Sequence, residues 1–307
     1  MRPILCAASL AVLALAHTAQ AETLELSGIY PAANDEAAAL ESITVERFGG
    51  DLGASLAMRI EDELRQVDVD GRPWLRILPA RGGGEGEGYM TGTAYGEGKQ
   101  TRFTKEREEC VRQNQFKQCE EKKKVQVQCT RRTLELDVAL RLVRSDGTLV
   151  YSSDRPERYE DSRCEGDSGE PRERTSVERE LIGRVATRVR FDIAPVLRRE
   201  SIRIDENRKG LSKADGERFK AAVRLTKADQ EAACAAFESL RQDYPGHVPT
   251  LSNLGLCAER VGRDNDAAAL YRRVQASEPR NSMARTGLGR IAERDRARVQ
   301  LAAHYAR

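Results

Sequence analysis

The first residues with chemical potential lie in a glycine-dense stretch, Arg81-GGGEGEGYMTGTAYGEGKQ-Thr101, which contains Gly98-Lys99. A phosphate-cradling loop needs G-x-x-x-x-G-K-[ST], so that backbone amides ring the phosphates and a hydroxyl reaches the metal. Here Thr93 stands where the first glycine belongs, and Gln100 follows the lysine. The dinucleotide pattern fails too, because Thr91 occupies the third glycine position after Gly86-x-Gly88. Glu85, Glu87 and Glu97 would repel a phosphate. The stretch is expected to be a loop feeding a strand over residues 88–95, with no cofactor bound. Histidine is scarce: His17, His247 and His304 are the three in the chain. None stands beside a Ser or Cys nucleophile in a triad motif, and His247 is expected in a solvated loop. The carboxylate pairs Glu61-Asp62 and Glu108-Glu109 are adjacent in sequence and point apart, so they read as solvated faces. No catalytic residue is expected, and no enzyme.

Cysteine chemistry depends on the compartment. Met1-RPILCAASLAVLALAHTAQ-Ala21 has Arg2, an apolar run from Ile4 to Ala16, and Ala19-Gln20-Ala21 as a cleavage site. It reads as a secretory signal peptide, residues 1–21, too short in its apolar run to span a bilayer. The expected location is exported, and periplasmic in a Gram-negative cell. Beyond Cys6, six cysteines remain: Cys110, Cys119, Cys129, Cys164, Cys234 and Cys257. In an oxidising compartment an even number implies disulfides. No C-x-x-C occurs and no histidine lies between Glu22 and Tyr244, so metal-ligand spacing is absent and no metal is expected.

Spacing suggests the pairs. Asp146-Gly147 marks a two-residue hairpin turn, in which opposed residue numbers sum to 293, and Cys129 with Cys164 meets that sum. A hairpin turning at Asn114-Gln115 would likewise oppose Cys110 and Cys119. Cys234 and Cys257 fall on successive helices and form the remaining candidate pair.

One third of the chain is charged, yet the net charge is +2, with both signs dispersed. A nucleic-acid surface would show clustered basic excess, and the run Lys122-Lys123-Lys124 is offset by Glu120 and Glu121. No nucleic-acid partner is expected.

The element pattern sets the frame. Ser42–Phe48 alternates as a strand. Asp51 is placed to cap a helix over 51–67 with Leu52, Leu56, Ile60 and Leu64 on one face. Trp74–Leu78 and residues 88–95 read as strands. Leu134, Leu136, Val138, Leu140 and Leu142 lie at period two on a strand with one buried face. A helix over 174–197 opens on the capping box Thr175-x-x-Glu178, and Ser201–Asp205 is a last short strand. The fold class expected for residues 22–205 is a mixed-sheet α/β sandwich with long antiparallel hairpins.

Residues 206–307 change character, and an all-α helical-repeat domain is expected there. A period of 34 maps Ala221, Ala228, Ala233, Phe237 and Pro245 onto Gly255, Gly262, Ala267, Tyr271 and Pro279, and Leu288-Gly289 opens a third copy. These positions resemble the tetratricopeptide repeat. The resemblance implies small residues where helices touch, an aromatic plug between them, and a proline after the second helix. Ala233, Phe237, Pro245, Gly255, Ala267, Tyr271, Pro279 and Gly289 are the packing positions it assigns.

The first domain carries a second resemblance, on Ile43-TVERFGGDLGASLAMRIEDE-Leu64, Trp74-LRI-Leu78 and Gly88-YMTGTAYGE-Gly98. It resembles the superfamily of curli secretion channels, lipoprotein activators of penicillin-binding proteins and TolB-type amino-terminal domains. Gly88 departs from the acidic residue usual before the aromatic. The resemblance implies an envelope accessory role without catalysis. Channel members insert hairpins into a membrane. The hairpin here is charged on both faces over Lys99–Arg112, which excludes a lipid-facing strand. The function expected is a periplasmic, non-enzymatic adaptor or scaffold binding a protein partner in the cell envelope, with no membrane-spanning segment. The alternative is an oligomeric envelope assembly or secretion accessory factor, which requires self-association.

Overall fold

The computed structural model describes residues 22–80 and 86–306. The expected signal peptide and the run Arg81–Glu85 lie outside them. The described residues form two compact units: residues up to 28 together with 199–291, and residues 29–198 together with 292–307.

The unit from Ile29 is an α/β structure on a mixed sheet. After the strand β1 (Thr23–Tyr30) and the short helix α1 (Asp35–Ala38), β2 (Ser42–Val45) leads to α2 (Gly53–Arg65). Leu56, Ile60 and Leu64 are fully buried on α2, as their four-residue spacing requires. Gly50 sets the entry to this helix: its φ is +90°, and a Cβ there would lie 2.1 Å from the Ala94 carbonyl oxygen. Asp51 does not cap α2, whose N-cap is Leu52; its carboxylate accepts from the Gly96 amide instead, at 3.1 Å.

A tight ribbon, β3 (Asp68–Val69) and β4 (Arg72–Pro73), precedes β5 (Arg76–Leu78), β6 (Gly88–Gln113), β7 (Cys119–Arg144), β8 (Leu149–Ser153) and β9 (Glu157–Cys164). The main sheet has the order β5-β2-β6-β7-β8, with β9 also on β7. β2 is parallel to β5 and β6, and the rest is antiparallel. α3 (Arg174–Ile193) packs with α2 on one face. Leu134, Leu136, Val138, Leu140 and Leu142 meet them there as a buried row. Arg174 is already inside α3 and its N-cap is Glu173, so Thr175 does not serve as a cap. The later part of α8 (Ser282–Tyr305) completes this unit. Gln300 donates to and accepts from the Ala32 backbone (3.1 and 2.9 Å), and the His304 ring stacks on Trp74 at 3.7 Å.

β6 and β7 run far past the sheet. Beyond Cys129 they pair with each other alone, over eleven residues from Phe103 to Gln113, a reach of about 35 Å. At the tip, Phe116 is 73% exposed and Val111 54%.

The other unit joins β10 (Val196–Arg203) to β1 as a two-stranded ribbon, then runs through α4 (Lys213–Leu225), α5 (Gln230–Asp243), α6 (Val248–Arg260), α7 (Asp264–Ser277) and the start of α8. α7 begins and ends 34 residues after α5 (264 − 230 and 277 − 243), and α8 begins 34 after α6 (282 − 248). The unit is not all helix: Leu24, Leu26 and Ile204 share one core with Phe219, Phe237 and Leu256. Ser201–Asp205, expected to end the first domain, thus pairs with β1 and packs on these helices.

Candidate functional site

The three disulfides are Cys110–Cys119, Cys129–Cys164 and Cys234–Cys257. Cys129 and Cys164 are direct partners in the β7–β9 register. The turn that leads there differs from expectation. Asp146 keeps a negative φ while Gly147 has +90°, and a bulge between Leu142 and Val143 restores the sum of 293. The two-residue primed turn forms instead at Asp70-Gly71, with φ of 53° and 76°. The tip hairpin does not turn at Asn114-Gln115 as expected. Asn114 caps a loop reaching Gln118, Lys117 takes φ 60°, and Cys110 is opposite Lys122 in register. Two register shifts then bring Cys110 to 5.7 Å, Cα to Cα, from Cys119.

The chemistry-bearing residues of the sequence are placed apart. Gly98-Lys99 sits inside β6, paired with Leu134 and Thr133, so its amides belong to a strand rather than a phosphate cradle. Gly96 and Gly98 leave room for Arg174, which donates to the Gly96 carbonyl at 3.0 Å. Glu61 pairs with Arg65 and Glu108 with Lys122 on exposed surface. His247 is not a solvated loop residue. It is 8% exposed and is the N-cap of α6, with Nδ1 2.8 Å from the Thr250 hydroxyl, and burial lowers its pKa. Among the described residues no three His, Cys, Asp or Glu side chains converge as a metal site.

In the helical unit, Ala233, Phe237, Ala267 and Tyr271 are fully buried, and Pro245 and Pro279 follow the C-caps of α5 and α7. Tyr271 lies between Gly255 and Gly287; a Cβ on either would stand 2.3 Å from its ring. Gly289, expected at such a contact, has open space around it. The Tyr271 hydroxyl donates to buried Glu259 at 2.6 Å, and Arg290 closes the network on the same carboxylate. A groove of about 820 Å³ runs along α5, α6 and α7. Leu254, Leu270 and the Cys234–Cys257 bond form its floor, and Glu231, Arg260 and Arg263 stand among its walls. Another face of α6 is taken by the chain itself: the Asn253 amide bonds both the Asp205 N–H and its carbonyl, each at 2.8 Å.

In the sheet unit, a trough of about 670 Å³ lies where β6 and β7 leave the sheet. Arg102, Arg132 and Arg163 line it, with Asp161, Gln100 and Gln128. Alternation along the strands puts Arg102, Thr130 and Arg132 on the face that carries Leu134, past the start of α3. Arg163 is committed to the neighbouring loop, donating to carbonyls including that of Glu170 at 2.9 Å. Arg107 anchors the same loop through Asp167, at 2.7 Å. Arg102 and Arg132 have no hydrogen-bond or ion-pair partner among the described residues. A smaller hollow of about 190 Å³ continues the trough over Leu134, Tyr159 and Val177, edged by Arg172 and Arg174. Sequence reasoning did not single out these arginines. The available signal was that 102 and 132 share a parity on strands whose parity was readable from the leucine row.

No protein-family model matches the chain, and no curated protein does.

Proposed function

We propose that the chain is an exported, non-enzymatic adaptor that binds a protein partner of the cell envelope through its helical groove and its sheet unit. The groove along α5, α6 and α7 carries this reading. An apolar floor with charged walls suits an amphipathic helix or extended peptide. A tetratricopeptide-like arrangement is part of the proposal. It draws on the 34-residue offsets between helices and on the Tyr271 plug between small residues. Export to the periplasm fits three disulfides and the amino-terminal signal pattern. No helix among the described residues is long and apolar enough to cross a membrane.

A second reading, an oligomeric assembly or secretion factor, draws on the arm of about 35 Å with Phe116 exposed at its tip. In-cell cross-linking of the tagged protein with mass spectrometry separates the two. Adducts to an envelope protein at α5–α7 support the adaptor. A ladder of self-adducts through the arm supports the assembly factor, and absence of adducts at α5–α7 rejects the groove.

A further inference from the structure

The trough at the base of the arm has a built recognition pattern. In the β6–β7–β9 register, Gln100, Arg132 and Asp161 form one row across three strands, and Arg102, Thr130 and Arg163 form the next. Successive rows lie about 6.8 Å apart, two residues along a strand. Side chains on one face of an extended peptide repeat at the same distance. Arg102 and Arg132 stand in adjacent rows, and each retains unsatisfied guanidinium donors. The trough floor is held by the Cys129–Cys164 bond, and its wall by Arg163 and Arg107, so the pair is presented on a braced surface.

We propose that this trough binds an acidic, extended peptide segment of a partner protein, with carboxylates at positions i and i+2 received by Arg102 and Arg132. The polar residues between them select the class. Asp161 lies directly across from Arg132 and Glu165 also lines the trough, so a doubly charged phosphate meets repulsion. Singly charged carboxylates on separate rows meet less of it at each arginine. Gln100, Gln128 and Thr130 offer donors and acceptors to peptide backbone. The adjoining hollow over Leu134, Tyr159 and Val177 takes an apolar side chain beside the acidic pair. The inference rests on the adaptor reading and supplies the partner chemistry of its sheet unit.

The test uses the purified, oxidised full chain and a fluorescein-labelled, end-blocked octapeptide alternating Glu and Ala, followed by anisotropy. Saturable binding is expected at concentrations up to about 1 mM, weakening as salt rises. Arg102→Gln with Arg132→Gln should weaken Kd by roughly tenfold or more, because two charge-assisted contacts are lost. Neither arginine has a partner among the described residues, so the melting curve of the double variant should match wild type. Equal binding by the Gln-Ala octapeptide, no saturable binding, or an unchanged Kd in the double variant overturns the proposal. Displacement by inorganic phosphate at concentrations equal to the peptide also overturns it, in favour of a small-anion site. Capture of an envelope partner by cross-linking is a separate readout. It can succeed while the peptide fails, which leaves the adaptor standing without this site.

Discussion

Tyr271 shows how one residue ties several elements together. Its ring fills the space left by two glycines on different helices, and its hydroxyl donates to a fully buried carboxylate. Gly255→Ala or Gly287→Ala forces a methyl into that ring, and each should destabilise the chain by about 1–3 kcal/mol in urea unfolding. Tyr271→Phe keeps the plug and tests the network alone. His247 gives a pH signature. Burial disfavours its charged form, so its pKa in the folded chain lies below the ordinary 6.5. The unfolded chain therefore binds more protons below about pH 6.5, and stability falls as pH drops through that value towards the folded pKa. His247→Asn, which retains an N-cap acceptor, should flatten that part of a stability-versus-pH curve. The sequence showed His247 beside Gly246 and Pro249, which reads as loop. Its burial comes from Phe219, packed edge-on at 5.5 Å from a helix nearly thirty positions earlier, and periodicity carries no such information.

Among elements, the end of α8 has the least obvious role in the sequence. The sequence assigns its residues to the helical repeats, yet Gln300 completes the backbone of Ala32 in both directions. Gln300→Ala leaves a buried amide and carbonyl unpaired and should cost about 1–3 kcal/mol, with faster hydrogen exchange at Ala32. The β6–β7 arm was half legible. Its leucine row fixed the strand and parity, and the Cys129–Cys164 partnership followed because two irregularities near the turn cancel. The tip was misread, because Asn114 capping and the left-handed Lys117 lengthen the loop by more than the dipeptide suggests. The arm carries exposed Lys105, Lys122 and Lys124, which discourage pairing of its free edges with other strands. Removing the base bond with Cys129→Ser and Cys164→Ser frees a 35-residue closure. Thermal unfolding should then fall by the equivalent of at most ~4 kcal/mol. Cys110→Ser with Cys119→Ser removes the closure of a shorter loop and should cost less.

For the whole molecule, the helical and sheet units interlace along the chain. Residues 22–28 belong with 199–291, and 292–307 belong with 29–198. The sequence suggested a clean cut at residue 205 because composition changes there. Composition does not report that Leu24, Leu26 and Ile204 fill the helical core, and β1 lacked the alternation with a turn that would mark a hairpin partner. A fragment of residues 206–307 should therefore show exposed apolar surface and no cooperative melt, while the chain from Glu22 melts cooperatively. Interlacing also dictates an order of events during synthesis. β1 emerges first and must wait for β10, far along the chain, before it has a hydrogen-bonded neighbour. The sheet unit cannot close until residues 292–306 have been made. A contact pattern of this range is slow to form, and a stop shortly after residue 291 would leave the helical unit whole and the sheet unit without its closing segment.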